Sequence, residues 1–228
     1  MEASLNTGTV YIVDDDEAVR SALSMLLRSV GLHVQTFDSG QAFLDAYQSE
    51  GPGCLVLDVR MPGMSGLELQ ERLKSREFTI PIIIITGHGD VPMAVRAMKA
   101  GAVDFVEKSS YNDQALLERV QEALKRDTER RRHAQLQKDL NGRIATLTPR
   151  EREVMEMFIE GRPAKAIAFD LGLSTKTVET HRTKLLDKMG ARSLVELTRM
   201  VMEANVTGAL VAERAMPQDD ADRAKEWR

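Results

Sequence analysis

Residues 10–16 read Val10-Tyr11-Ile12-Val13-Asp14-Asp15-Asp16: four apolar residues run straight into three acids. An unbroken apolar run, without polar positions alternating through it, predicts a strand buried on both faces. Outward from this stretch the same grammar recurs. Glu17 to Val30 carries Val19, Leu23, Leu26, Leu27 and Val30 at helical spacing. His33–Thr36, Cys54–Leu57, Ile82–Ile85 and Val103–Val106 read as further strands. Between them lie helical stretches from Ser39 to about Gln48, from Gly66 to Lys74 and from Val91 to Ala100, with another starting near Asp113. Five apolar strands alternating with five helices predict an α/β fold, a five-stranded parallel doubly wound sheet covered on both faces.

In such a sheet, ligands gather at the carboxyl ends of the strands. Asp14, Asp15 and Asp16 follow the first strand, Asp58 the third, Thr86 the fourth and Lys108 the fifth. Converging carboxylates repel one another and favour a hard divalent cation with room for waters, which suits Mg²⁺. One carboxylate could then act as nucleophile on a phosphoryl group whose oxygens are held by a hydroxyl and an ammonium. Any single acid at a strand end is as readily a solvated loop residue. Four groups at four strand ends argue against that reading.

The rest of the composition narrows the function. Aromatics are 4% of the 228 residues and the single Trp is Trp227, so a base-stacking platform is not expected. A lone cysteine, Cys54, excludes an internal disulfide and a thiolate metal cluster. Apolar runs are too short to span a bilayer, Met1 to Thr9 lacks a signal-peptide pattern, and a cytoplasmic setting is expected. No GxGxxG or GxxxxGK[ST] spacing supports nucleotide binding. Charge is uneven under a net −4: residues 1–125 carry 11 Lys/Arg against 18 Asp/Glu, and residues 126–145 carry 6 against 3. Residues 146–200 carry 10 against 8, which suggests two modules with different partners.

The boundaries read as an α/β domain over 1–125, a helical linker over 126–145, an all-α domain over 146–204 and a disordered tail over 205–228. Leu117, Val120 and Leu124 start a heptad seam onto which Asp127 and Arg131 then fall. A solvated connector and a dimeric coiled coil are equally compatible with it. Gly142 is expected to end that helix. Thr148, Pro149 and Glu151 form a capping-box start. Ile167, Ala168 and Leu171 give the next helix its apolar stripe, Gly172-Leu173 a turn, and Ser174 a cap for a helix burying Val178, Leu185 and Met189.

The segments VDDDE, LVLDVRMPGMSG around Asp58, IIITGHGD around Thr86 and DFVEK ending at Lys108 resemble the receiver domain of two-component response regulators. The run from Ile85 to Lys108 is similar to the FixJ subfamily in particular. The resemblance implies that Asp58 accepts phosphate from a sensor histidine kinase. It implies Mg²⁺ bound by Asp15, Asp58 and the backbone carbonyl of Arg60, with Asp14 acting through a bound water. Thr86 and Lys108 would contact the acyl phosphate, and Phe105 would swing inward with Thr86, which repacks the face formed by residues 91–106. Asp16 has no role under this mapping. Where the family usually has a proline after the lysine, this chain has Ser109. A cis bond there would cost about 3–4 kcal/mol, so a trans peptide or a rearranged loop is expected. His88 is given a loop role, and Cys54 a place in the core.

Residues 146–202 resemble the LuxR/NarL-type helix-turn-helix domain. A helix lying in a major groove needs cations for phosphates and short polar groups for base edges. Lys176, Arg182, Lys184 and Lys188 are the phosphate candidates, and Glu179, Thr180 and Thr183 match base-facing positions, with Thr177 on the same polar face. Glu179 could accept from a cytosine amino group or pair with a nearby arginine; both stay open. The expected protein is thus a transcription factor, not an enzyme with an external substrate. It would dimerise when phosphorylated, bind a double-stranded operator and work with RNA polymerase. A Mg²⁺-dependent phosphatase and a constitutive DNA-binding regulator whose receiver is only a dimerisation module are the rivals.

Overall fold

The computed structural model describes residues 8–87, 90–108 and 112–204. The expectations for His88, Ser109 and the tail beyond 204 fall outside these residues. The chain divides into two compact units, up to Arg131 and from Arg132 onward.

The first unit runs β1 (Thr9–Val13), α1 (Glu17–Ser29), β2 (His33–Phe37), α2 (Gly40–Ala46), β3 (Gly53–Leu57), α3 (Gly66–Ser75), β4 (Ile82–Thr86), α4 (Val91–Lys99) and β5 (Asp104–Glu107). α5 (Asp113–Ala145) begins in this unit. All strand pairs are parallel, in the order β2-β1-β3-β4-β5. The fully apolar strands are explained by two cores. Cys54 and Val56 of β3 point to the side of Leu23 and Leu27 of α1 and Val120 and Leu124 of α5. Leu55 and Leu57 point to the side of Phe43, Leu69, Leu73 and Ala97 from α2, α3 and α4. The fifth strand is Asp104–Glu107, one residue later than expected, because Ile83 pairs with Asp104 and Thr86 with Glu107.

The coiled-coil reading of the heptad seam does not hold, whereas residues 128–139 of the same helix are exposed or half-buried, as a solvated connector would be. Leu117, Val120 and Leu124 are buried against their own sheet, and Asp127, where the apolar pattern breaks, is fully buried as well. These positions therefore have no free face for a coiled-coil partner. Nor does Gly142 end the helix: α5 continues to Ala145. A mid-helix glycine costs about 1 kcal/mol relative to alanine. Leu140 and Ile144, on either side of it, are buried in the second core and offset that cost.

The second unit contains the end of α5, then α6 (Pro149–Ile159), α7 (Ala164–Asp170), α8 (Thr175–Met189) and α9 (Leu194–Glu203). Thr148 and Glu151 close the expected capping box on α6, and Ser174 caps α8. Val154, Met155, Ile167, Val178, Leu185, Met189, Leu197 and Val201 form the core. α5 closes helix ends in this unit: Gln137 donates to the carbonyl of Ala204 at 2.5 Å, and Arg143 to that of Met189 at 2.7 Å.

Glu151 also accepts from the Lys188 ammonium at 2.6 Å and is itself only 4% exposed. That bond, followed by the Thr148 N–H, holds its carboxyl down at about 2. A lowered carboxyl contributes stability that is complete above its unfolded value and is lost as pH falls through the folded one. Glu151→Gln is expected to cost about 2 kcal/mol at pH 7, the size of a hydrogen bond to a charged group. The deficit should shrink below about pH 4.5 and close near pH 2. Hydrogen exchange of α8 amides in the two chains, followed from pH 7 downward, measures it.

Candidate functional site

Backbone bonds tie the strand ends in two groups, β2-β1-β3 and β4-β5. The Asp58 N–H donates to Val13 O at 2.8 Å, the Asp14 N–H to Phe37 O at 3.2 Å and the Lys108 N–H to Thr86 O at 2.8 Å. The first acid, Asp14, is 1% exposed and Asp58 4%. Between them lies the ammonium of Lys108, 2.6 Å from Asp14 Oδ2 and 3.0 Å from Asp58 Oδ1. Asp58 Oδ2 also accepts from the Arg60 N–H at 2.7 Å.

Burial pushes the Asp58 carboxyl upward, and the bond to Lys108 opposes it. For Lys108, burial lowers the ammonium, but the bonds to Asp14 and Asp58 outweigh it and the net direction is up. The two shifts thus have different origins, burial for Asp58 and the pair of carboxylates for Lys108. Among the described residues, no three His, Cys, Asp or Glu side chains are grouped as a metal site. Asp15 is exposed beside the pair.

Thr86 is 1% exposed and its hydroxyl has no hydrogen-bond partner among the described residues. Phe105 is half-buried and packs against the core shared by α2, α3 and α4. The structure thus brings Asp14, Asp58 and Lys108 into contact and places Thr86 and Phe105 on the adjacent strands.

Three contributors were not expected. Asp16 caps α1, accepting from the Ala18 N–H at 2.8 Å, and its own N–H donates to Asp14 Oδ1 at 3.0 Å. An acid immediately before a helical pattern is a readable N-cap signal. Arg20 donates to the carbonyl of Asp14 at 2.7 Å. Gly66 brings the start of α3 so close that a Cβ there would lie 2.1 Å from the carbonyl oxygen of Asp58.

In the second unit, Lys176, Thr180, Thr183 and Lys184 are exposed on α8. The hydroxyls of Thr180 and Thr183 donate to the carbonyls one turn back, at 3.0 and 3.1 Å, which keeps their lone pairs outward. The Thr177 hydroxyl lies 2.8 Å from that of Ser174. Of the two readings of Glu179, the structure shows the ion pair, with Arg182 at 3.0 Å. The Lys188 ammonium is engaged by Glu151 within the domain.

Residues 10–121 match the response regulator receiver domain, and residues 145–201 match the luxR family of bacterial regulatory proteins. The chain is 45% identical over 199 residues to the transcriptional regulatory protein FixJ of Bradyrhizobium diazoefficiens, spanning 87% of this chain and 97% of that protein. It is 48% identical over 200 residues to FixJ of Azorhizobium caulinodans, spanning 88% and 94%. Among solved structures, it resembles the response regulator StyR at a TM-score of 0.76 and 46% identity, covering 86% of this chain and 98% of that one. Full-length FixJ from B. japonicum is similar at a TM-score of 0.55 and 45% identity, covering 88% and 98%. With a receiver fold followed by a helix-turn-helix domain, and relatives matched over nearly their whole length, the chain belongs to the FixJ/NarL family of response regulators, transcriptional regulators with a LuxR-type DNA-binding domain.

Proposed function

We propose that a sensor histidine kinase phosphorylates Asp58 and that the phosphorylated chain dimerises and binds its operator. The observation that carries this is Lys108, whose ammonium already touches both Asp14 and Asp58. A phosphoryl group on Asp58 adds roughly −1.5 to −2 charges, so the ammonium gains a stronger partner than the carboxylate it holds. The Thr86 hydroxyl, unpartnered among the described residues, gains an acceptor in the same event, and its movement leaves space for Phe105. On α4, Val91, Val95 and Met98 form an exposed apolar row at helical spacing, 77%, 45% and 48% exposed. That row supports a dimer built on the 91–106 face.

The donor set fits Mg²⁺: two buried carboxylates share one ammonium, so the cluster keeps negative charge beside Asp15, and its donors are all hard oxygens. Asp14, Asp15, Asp58 and the Arg60 carbonyl would hold the ion. When bound it supplies positive charge for the phosphoryl oxygens. The chain's own part is to present Asp58 as nucleophile, with Lys108 and Thr86 as donors to the group transferred. On α8, Lys176, Arg182 and Lys184 would take phosphates and Glu179, Thr180 and Thr183 base edges, with Thr177 and Lys188 beside them. A cytoplasmic location and an interaction with RNA polymerase belong to the same proposal.

Size-exclusion mass and operator affinity, with and without beryllofluoride and Mg²⁺, test it in wild type and Asp58→Asn. A monomer that dimerises and gains operator affinity only with the ligand, and only with Asp58 intact, is expected. Equal mass and affinity in all four conditions would instead describe a constitutive DNA binder.

A further inference from the structure

Asp127 is a charged residue with no exposed surface, in the helix that joins the two functional halves of the chain. Its Oδ2 accepts from the Gly53 N–H at 3.0 Å and from Arg131 Nε at 2.7 Å. Its Oδ1 accepts from both Nε and Nη2 of Arg130, at 3.1 and 2.5 Å. Arg131 reaches on to the loop before β3, donating to the carbonyl of Ser49 at 3.2 Å and to its hydroxyl at 2.8 Å. A buried carboxylate is strongly unfavourable unless cations and hydrogen-bond donors surround it. Here two guanidiniums and one backbone N–H do so. All of these residues lie in the first unit.

The position of the cluster gives it meaning. Gly53 opens β3, and Asp58 follows directly after the same strand. The strand that carries the phosphoacceptor at one end therefore holds the linker helix at the other. Without Asp127, the last residue of α5 buried against the sheet is Leu124. The anchored end of the helix would retreat from Arg131 to Leu124, and a short unanchored helical stretch is marginal in water. A longer and looser tether lowers the effective concentration at which two joined modules meet a second site.

We propose that the Asp127 clamp, made with Gly53, Arg130, Arg131 and Ser49, is a positioning device that fixes where the linker leaves the receiver, so that phosphorylation of Asp58 yields paired operator binding. This rests on the function proposed above. It predicts a separation of two properties: the acidic site works without the clamp, and the output does not follow it.

The test uses the full chain, as wild type, Asp127→Ala and Arg131→Ala. The milder Arg131→Ala leaves Asp127 with Gly53 and Arg130, so a fold survives for measurement if Asp127→Ala unfolds. Hydrogen exchange of the Gly53 amide and of α5 reports the clamp itself. Beryllofluoride titration in Mg²⁺ reports the acidic site, and operator affinity with and without beryllofluoride reports the output. Both variants should deprotect α5 near residues 125–131 and keep the wild-type titration midpoint. The affinity gain on beryllofluoride should fall roughly three- to tenfold in Asp127→Ala and by less in Arg131→Ala. A wild-type gain that persists in full in a variant whose α5 is deprotected overturns the clamp's role alone. A wild type with no gain at all overturns the phosphorylation mechanism and this inference with it.

Discussion

Gly66→Ala is expected to destabilise the receiver by about 3 kcal/mol, the upper end of the ordinary cost of overpacking. The reason is local. Its Cβ would lie 2.1 Å from the Asp58 carbonyl oxygen and 3.0 Å from Val59 Cα, both backbone atoms without a flexible end to swing away. The Gly66 N–H also donates to Val59 O at 2.9 Å, so helix and loop cannot part without losing that bond. The substitution should therefore weaken beryllofluoride binding at Asp58 beyond what the stability loss explains. Gly51→Ala is the control, because a Cβ there meets nothing within 4 Å. Hydrogen exchange of β3 amides and a beryllofluoride titration on both variants decide it. Equal behaviour of the two would mean that α3 does not hold the Asp58 loop in place.

Lys108→Ala should have an effect of similar size, and that size should depend on conditions. Removing the ammonium leaves Asp14 and Asp58, 1% and 4% exposed, facing each other without a cation. Breaking a buried pair costs about 3–5 kcal/mol because the remaining charge is uncompensated. That loss is expected at pH 7 without divalent cations. Acid should relieve it: Asp58, already pushed up by burial, can take a proton. Millimolar Mg²⁺ should relieve it too, since a ligand that binds only the folded state adds stability by mass action. Denaturant midpoints of wild type and variant, with EDTA and with Mg²⁺, give the comparison. A variant whose deficit is the same in both buffers would show that these carboxylates do not take a cation.

The parts of this protein legible in its sequence are those carried by short-range pattern. Apolar strands ending in Asp14, Asp58, Thr86 and Lys108 announce a parallel sheet with a polar rim, because strand ends and site coincide in this fold. The Thr148–Glu151 box and the Ser174 cap are local for the same reason. What escaped depends on partners far along the chain. Asp127 looks like a break in an apolar seam until Gly53, 74 residues away, supplies the N–H it accepts. Lys188 sits on a basic helix face, yet its ammonium belongs to Glu151, 37 residues earlier. Gly66 reads as a helix start, and only the packed loop shows why no side chain fits. Asp16 is different: its cap signal is local and was overshadowed by the acids on either side.

The most direct test of the account is to find where the phosphoryl group goes. The full chain is incubated with a small-molecule phosphodonor and Mg²⁺, the acyl phosphate is reduced with borohydride, and the modified peptide is located by mass spectrometry. Reduction is expected only in the peptide bearing Asp58, and none in Asp58→Asn or without Mg²⁺. Modification centred on Asp14, Asp15 or Asp16, or none in a wild type that still gains operator affinity with the donor, would contradict it.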